Sequence, residues 1–275
     1  MSDLLKVGIV DFLNSRPLAW GFLRGAYEGI LEPSYHPPSR VADLLAAGEI
    51  DVGLIPSIEL LRISGSQVVP GTCVAATGEV RSVLLLLRAP IEDLRRVAVD
   101  SKSRTSIALL KILMAEVWGV GPDLVVRQAD SRGVEPGFDG ALLIGDPALC
   151  VDRSGFEVVD LAAAWRRLTG LPFVFAVWAT RPGLSAEALS GYFEDSLQRG
   201  LADLDRLIDE AAAAQGLIPS EVRSYLTENL RFVMEGEEVA GLREFFRRAG
   251  KHGLAPAPAA ELGDWLEVAS AKAIS

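Results

Sequence analysis

Short apolar runs alternate with helix-type patterns over the first two thirds of the chain. Three runs have the length and composition of buried strands, and each is followed by apolar residues at helical spacing. In chain order the segments are KVGIVD, SRPLAWGFLRG, LEPSYH, PSRVADLLAAGEI, DVGLIPS and a helix that begins at Ser57. Strands that alternate with helices in this way predict a mostly parallel sheet.

Two long β-type runs, VRSVLLLLRAP and LPFVFAVWATRPG, interrupt this alternation and bracket a second set of strand and helix patterns. The sequence after them is helical. We therefore predict an α/β protein of two lobes, with residues 1–84 and 178–275 in lobe one and residues 85–177 in lobe two. The two long strands would cross between the lobes as a hinge, as in the type 2 periplasmic-binding-protein fold. A single doubly wound sheet is the alternative.

Composition restricts the partners. The chain has 275 residues, 49% of them hydrophobic, and a formal net charge of −10. Such a chain can bury a large core, but its charge disfavours nucleic acid and anionic membrane surfaces as partners. A small anionic ligand remains compatible with it, because a cleft can be locally positive on an acidic protein.

The sequence predicts a cytoplasmic location. No apolar run approaches the roughly 18 residues of a membrane span, and the first residues lack the basic and apolar regions of a secretory leader. Cys73 and Cys150 lie in apolar contexts, and we expect them to be reduced thiols.

Hydrogen-bonding side chains follow several predicted strands. Asn14 and Ser15 end the first strand, Ser57 follows the third, and Ser82 lies inside an apolar strand. The stretch SRTS, residues 103–106, ends the first strand of lobe two. Ligands of open α/β sheets bind at such carboxyl ends, and helix N-termini there favour anions. Ser15, Ser57 and one serine of SRTS are also consistent with helix caps that have no ligand, and Ser82 with an edge or hinge position.

Several common kinds of site have no signature in this sequence. The only histidines, His36 and His252, lie in no motif, so a histidine-based triad or a zinc site is not predicted. There is no glycine-rich GxGxxG after the first strand and no P-loop, which disfavours a nucleotide cofactor.

The motifs VDFLNSRPL, SVLLLL, SRTSIALLKILM, ALLIGDPAL and WRRLTGLPFVFAVWA, in this order, resemble the chorismate dehydratases of the futalosine route to menaquinone. The resemblance covers about two thirds of the chain. It implies the two-lobed fold and a lyase that converts chorismate to 3-[(1-carboxyvinyl)oxy]benzoate and water, with no metal and no organic cofactor. The related 1,4-dihydroxy-6-naphthoate synthases carry a histidine after the LLI strand, where this chain has Gly145.

The resemblance also implies roles for individual residues. It places Asn14 and Ser82 at the reacting centre, and it assigns the hydroxyls and amides of Ser103, Thr105 and Ser106 to one substrate carboxylate. The full set of predicted substrate-binding residues is Ser15, Ser57, Ser103, Arg104, Thr105, Ser106, Gly145, Asp146 and Phe173.

Two questions stay open at the level of sequence. The base that removes the substrate proton could be Asp11, Asp146 or the enolpyruvyl carboxylate of the substrate itself. The same fold also serves non-catalytic receptors for small anions, and function does not follow from fold alone.

Overall fold

The computed structural model describes residues 4–127, 132–256, 258 and 260–272, and these form two β-sheets with surrounding helices. The strands are β1 (Leu5–Val10), β2 (Leu31–His36), β3 (Val52–Pro56), β4 (Gln67–Ala76), β5 (Val83–Leu87), β6 (Arg96–Val99), β7 (Asp123–Val126), β8 (Gly140–Ile144), β9 (Glu157–Asp160), β10 (Phe173–Thr180) and β11 (Arg231–Val233). The helices are α1 (Arg16–Leu23), α2 (Pro38–Ala46), α3 (Arg104–Leu113), α4 (Asp146–Cys150), α5 (Leu161–Thr169), α6 (Ser190–Ala202), α7 (Leu204–Gln215), α8 (Pro219–Ser224), α9 (Gly236–Lys251) and α10 (Ala260–Lys272). Within these residues no helix is both long and apolar enough to cross a bilayer.

The first sheet contains six strands in the order β11-β4-β10-β3-β1-β2. β1 pairs in parallel with β2 and β3, as the alternating pattern predicted. β2 and β3 are joined by α2, whose apolar face is buried. The prediction of a helix that begins at Ser57 is confirmed, and this helix, Ser57–Leu61, is a short one of the 3₁₀ type. β10 lies antiparallel between β3 and β4.

Strand β4 was not recognised in the sequence. Its segment QVVPGTCVAA contains Pro70 and Gly71 at the centre, a pair that is typical of a turn. The structure accommodates both residues in an irregularity, where the pairing of β4 with β10 shifts between Val177 and Ala179. Proline is tolerated within a sheet at such a bulge, because no ladder hydrogen bond is required of it there.

The second sheet has five strands in the order β7-β6-β8-β5-β9. β6 pairs in parallel with β7 and β8, whereas β5 is antiparallel to β8 and β9. The carboxyl ends of β6 and β8 carry α3 and α4, so these two short helices begin at the same edge of the sheet. That edge faces the first sheet.

The two strands predicted to cross between lobes are β5 and β10. β5 lies in the second sheet and β10 in the first, and the chain passes from one sheet to the other just before each of them. We propose that residues 77–82 and 170–172 are the lobe boundaries, in place of the predicted divisions after residues 84 and 177.

The first of these crossings is held by one carboxylate. Asp160 Oδ2 accepts the backbone N–H groups of Val80 at 2.9 Å and Arg81 at 2.7 Å, while Oδ1 accepts those of Ala162 and Ala163 at the start of α5. Arg81 has φ 61°, the one positive φ of a non-glycine residue in the part of the chain described. A left-handed arginine is unfavourable by itself, so these bonds stabilise the conformation that precedes Ser82.

We predict that Asp160→Ala lowers the free energy of unfolding by about 2–4 kcal/mol, because a helix cap and two charge-assisted bonds to the crossing are lost together. Urea denaturation followed by circular dichroism measures the change. The matched control is Asp152→Ala, which removes a carboxylate that bonds only to Ser154 in an exposed loop and should leave the midpoint nearly unchanged. Equal shifts for the two variants would contradict the assignment.

Candidate active site

A cleft lies between the two sheets and contains about 580 Å³ of empty space, its open mouth included. Its walls are mostly apolar, with polar groups concentrated at two places described below. The lining residues are Val10, Phe12, Asn14, Pro38, Leu54, Pro56, Val74, Ser82, Val83, Lys102, Ser103, Arg104, Thr105, Ser106, Ile144, Gly145, Phe175 and Ala176.

The first cluster of polar side chains consists of Asn14, which follows β1, and Ser82, which lies in the crossing before β5. Asn14 and Ser82 both line the cleft, as the sequence predicted for the reacting centre. Behind them lies Tyr225, whose hydroxyl donates to Ser82 Oγ at 2.8 Å and whose oxygen also interacts with the Asn14 side chain. The backbone carbonyl of Ser82 accepts the N–H of Gly145 at 2.8 Å, which ties this centre to the second sheet.

Tyr225 was missed in the sequence because it lies in the helical region after α8, far from every motif. It is 1% exposed, and burial raises its pKa well above the usual value of 10.0. Nothing in the stretch SYLTENL distinguishes this tyrosine from an ordinary core residue.

The second polar group is the N-terminus of α3. Ser103 is the N-cap residue, and its hydroxyl is buried without a hydrogen-bond partner among the described residues. The first intrahelical bond is donated by Ile107 to the Ser103 carbonyl, so the N–H groups of residues 104–106 precede the helical ladder. These donors and the helix dipole suit an anion, and the unpaired hydroxyl points to a ligand atom at the same place.

Lys102 adds a full positive charge to this end of the cleft. It lines the cleft and makes no ion pair within the described part of the chain. Arg104 differs from Lys102, because it has partners: its guanidinium bonds Asp43 at 2.8 Å and Glu59 at 3.1 Å, both in the first lobe. Arg104 lines the cleft, but these ion pairs make it a contact between the lobes.

Other bonds across the cleft involve residues predicted to bind substrate. Thr105 Oγ1 accepts the backbone N–H of Ile58 at 3.2 Å. Asp146 Oδ1 accepts the N–H of Leu13 at 3.0 Å, and its Oδ2 accepts from Gln215 Nε2 at 2.6 Å. The lobes are therefore in contact on both sides of the cleft, which describes a closed arrangement.

Gly145 is fixed by its surroundings. Its φ is 61° with ψ −143°, a conformation open mainly to glycine, and a Cβ here would lie 3.0 Å from atoms of the Phe12 ring. A histidine at this position, as in the related naphthoate synthases, would require the Phe12 ring and the backbone to move.

Four predicted substrate-binding residues do not line the cleft: Asp146, whose bonds are given above, and three others. Ser15 Oγ donates to the carbonyls of Val10 and Phe12, and Ser15 lines a neighbouring pocket instead. Ser57 is fully buried and donates to the Val174 carbonyl. Phe173 is also fully buried, and Phe175, two residues further along β10, takes the place in the cleft wall. All three positions are determined by backbone contacts that no sequence motif reveals.

The cleft wall contains no aspartate, glutamate or histidine among the residues described. Asp11 lies in the neighbouring pocket with Arg16 and Tyr35. Asp146 is outside the wall and already bonded. No group of three or more histidine, cysteine, aspartate or glutamate side chains fit for a metal occurs in the described residues.

This geometry defines a class: a two-lobed α/β protein with a cleft between the lobes. Solved structures of the same fold include the periplasmic aliphatic sulphonate binding protein SsuA from Escherichia coli, with a TM-score of 0.57 at 14% identity over 94% of this chain and 90% of that one. A crystal structure of an Archaeoglobus fulgidus protein matches with a TM-score of 0.77 at 17% identity, covering 92% of this chain and 99% of that one.

Sequence comparison narrows the class. Residues 5–251 match the family described as menaquinone biosynthesis. The chorismate dehydratase of Thermus thermophilus is 34% identical over an alignment of 265 residues that covers 89% of this chain and 94% of that protein. The chain belongs to the menaquinone biosynthesis family and, within it, to the chorismate dehydratases.

Asp146 makes stability depend on pH in a defined direction. Burial raises its pKa above the usual 3.8, against the lowering effects of the Leu13 N–H, Arg16 and Gln215. The folded protein therefore holds this proton to a higher pH than the unfolded chain does. The resulting stabilisation is fully present below pH 3.8 and is lost as pH rises through the folded-state pKa.

We predict that the free energy of unfolding of the wild type, relative to that of Asp146→Asn, falls as the pH rises through the folded-state pKa of Asp146. The asparagine retains an oxygen for the Leu13 N–H but does not ionise. Urea unfolding of both proteins between about pH 4 and pH 7 gives the difference. A difference that stays constant, or that grows in favour of the wild type with rising pH, would show that folding does not raise the pKa of Asp146.

Proposed function

We propose that the protein dehydrates chorismate to 3-[(1-carboxyvinyl)oxy]benzoate in this cleft, as a hydro-lyase of menaquinone biosynthesis. Membership of the chorismate dehydratase family supports the reaction. The structural observation that supports the site most strongly is the unpartnered Ser103 hydroxyl at the start of α3, next to Lys102 and within reach of the same cleft as Asn14 and Ser82.

The reaction requires little from the protein besides positioning. Chorismate loses the proton on C3 and the hydroxyl on C4, which leave together as water, and the electrons of the C3–H bond form the new C3–C4 double bond. The product ring is aromatic, and aromatisation supplies much of the driving force. Orientation and stabilisation of developing charge are then the main catalytic contributions.

Chorismate carries two carboxylates, and the cleft offers two groups of donors. In this proposal the N-terminus of α3 binds one carboxylate through the Ser103 hydroxyl and the amides of residues 104–106, with Lys102 nearby. Neutral donors at a helix N-terminus cost little to desolvate, so a substrate dianion can be bound by a protein whose own charge is −10.

Asn14 and Ser82 are the proposed catalytic residues. They line the cleft at the junction of the two lobes. There they can hydrogen bond the departing C4 hydroxyl and the enolpyruvyl carboxylate. A donor to the leaving hydroxyl lowers the barrier because that oxygen gains negative charge as its bond to carbon breaks.

We propose that the enolpyruvyl carboxylate of the substrate takes the C3 proton and passes it to the departing C4 hydroxyl, which leaves as water while the electrons of the C3–H bond form the C3–C4 double bond. Of the two protein candidates, Asp11 lies in the neighbouring pocket, and Asp146 is outside the wall with both oxygens bonded. The carboxylate of the substrate is attached through the ether oxygen on C3, which keeps it close to the proton that it would remove.

The direct test is turnover. Purified protein mixed with chorismate and excess chelator should give the enol-ether benzoate, detected by chromatography and mass spectrometry. Binding of chorismate without product would support the receptor alternative. Loss of turnover in chelator that returns with an added metal would contradict the cofactor-free reaction.

We predict that Asn14→Ala and Ser82→Ala each lower kcat by about 10²-fold or more, a barrier change of about 2.7 kcal/mol, because an interaction made in the transition state is lost. Affinity for the product, measured by calorimetry, should change far less, since the α3 donors remain. The matched control is Ser196→Ala, a buried serine outside the cleft that bonds Leu18 and Gly21. Retention of more than about a third of kcat in either cleft variant would remove that residue from the mechanism.

A further inference from the structure

Tyr225 contacts both residues of the proposed reacting centre without lining the cleft itself. Its hydroxyl donates to Ser82 Oγ at 2.8 Å, and the Asn14 side chain interacts with the same hydroxyl. Tyr225 comes from the C-terminal helical region, whereas Asn14 lies in the 3₁₀ helix that follows β1 and Ser82 precedes β5. One phenol therefore connects three separate parts of the chain directly behind the cleft wall.

The direction of these bonds determines what Ser82 can do. In the structure the phenol O–H of Tyr225 donates to Ser82 Oγ at 2.8 Å. Ser82 then accepts from Tyr225, and its own proton is left free to point into the cleft.

Tyr225 stays a donor over the whole working pH range. It is enclosed at 1% exposure, and burial acts together with the Asp146 charge to keep the phenol neutral. Of the charged groups that act on it, only Arg81 lowers its pKa, and that effect is the smallest of those recorded. A phenol in this environment does not serve as the base that removes the C3 proton.

We propose that Tyr225 is a positioning residue for the dehydration: it orients the Ser82 hydroxyl as a hydrogen-bond donor toward the leaving group and holds the Asn14 side chain beside it. The proposal rests on the proposed function, because it concerns the same reacting centre. A Ser82 hydroxyl that is free to rotate would spend part of its time with a lone pair toward the substrate, where it cannot donate to the leaving group. The bond from Tyr225 excludes that orientation before the substrate binds.

The first experiment compares Tyr225→Phe with Tyr27→Phe. Both variants keep the ring and lose one hydroxyl, and Tyr27 bonds Asp195 far from the cleft lining. We expect Tyr225→Phe to lower kcat about 10-fold or more with KM changed less than about 3-fold, and Tyr27→Phe to leave kcat within about 2-fold. Loss of stability alone would affect the active fraction of both variants, so active sites are titrated with the product before rates are compared.

The second experiment is a double-mutant cycle. If Tyr225 acts through Ser82, Tyr225→Phe should cost clearly less in the Ser82→Ala background than in the wild type. An equal factor in both backgrounds, or a Tyr225→Phe enzyme with unchanged kcat, would overturn the proposal. Replacement of Tyr225 by 3-fluorotyrosine retains the hydroxyl and should keep kcat within about 3-fold of wild type. This variant can be measured even if Tyr225→Phe does not fold.

These outcomes separate the two proposals. If wild-type protein does not convert chorismate, the proposed function fails and Tyr225 is not the cause. If wild-type protein turns over and Ser82→Ala is impaired while Tyr225→Phe is not, the function stands and the positioning role of Tyr225 is wrong.

Discussion

The bonds from Asp160 to the backbone of residues 80 and 81 fix the place where the chain passes between the sheets. They stabilise a left-handed Arg81, and the next residue, Ser82, is thereby delivered to the cleft wall. From the opposite lobe the end of β1 supplies Asn14. Substrate, leaving group and both sheets meet at this junction in the proposed mechanism, so geometry at the crossing controls geometry at the reacting centre.

Electrostatics explain how an acidic protein can accept a dianion. The wall of the cleft has hydroxyls, backbone amides at the start of α3 and Lys102, and the described wall residues include no carboxylate. The negative charges near the cleft are used elsewhere: Asp43 and Glu59 pair with Arg104, and Asp146 bonds to backbone and amide donors. With chorismate bound, the carboxylates inside the cleft would be those of the substrate, which is consistent with the proposal that a substrate carboxylate is the base.

Sequence patterns predicted the architecture better than the detail of the site. The alternation of strands and helices predicted the parallel part of the first sheet, but Pro70 and Gly71 concealed β4 because turn residues and bulge residues look alike in a sequence. Polar residues at strand ends predicted Asn14 and the start of α3. Ser57 also follows a strand but does not line the cleft, because its hydroxyl donates to the Val174 carbonyl. Tyr225 and Asp160 act through contacts more than 75 positions away in sequence, and no local pattern encodes such pairs.

A crystal structure with the benzoate product bound would test the central claim most directly. We predict one carboxylate within about 2.7–3.2 Å of Ser103 Oγ and the amides that begin α3, with the ring carbon that carried the hydroxyl beside Asn14 and Ser82. Product bound instead in the neighbouring pocket of Asp11, Arg16 and Tyr35, with the α3 cap empty at saturating concentration, would contradict the assignment of the active site.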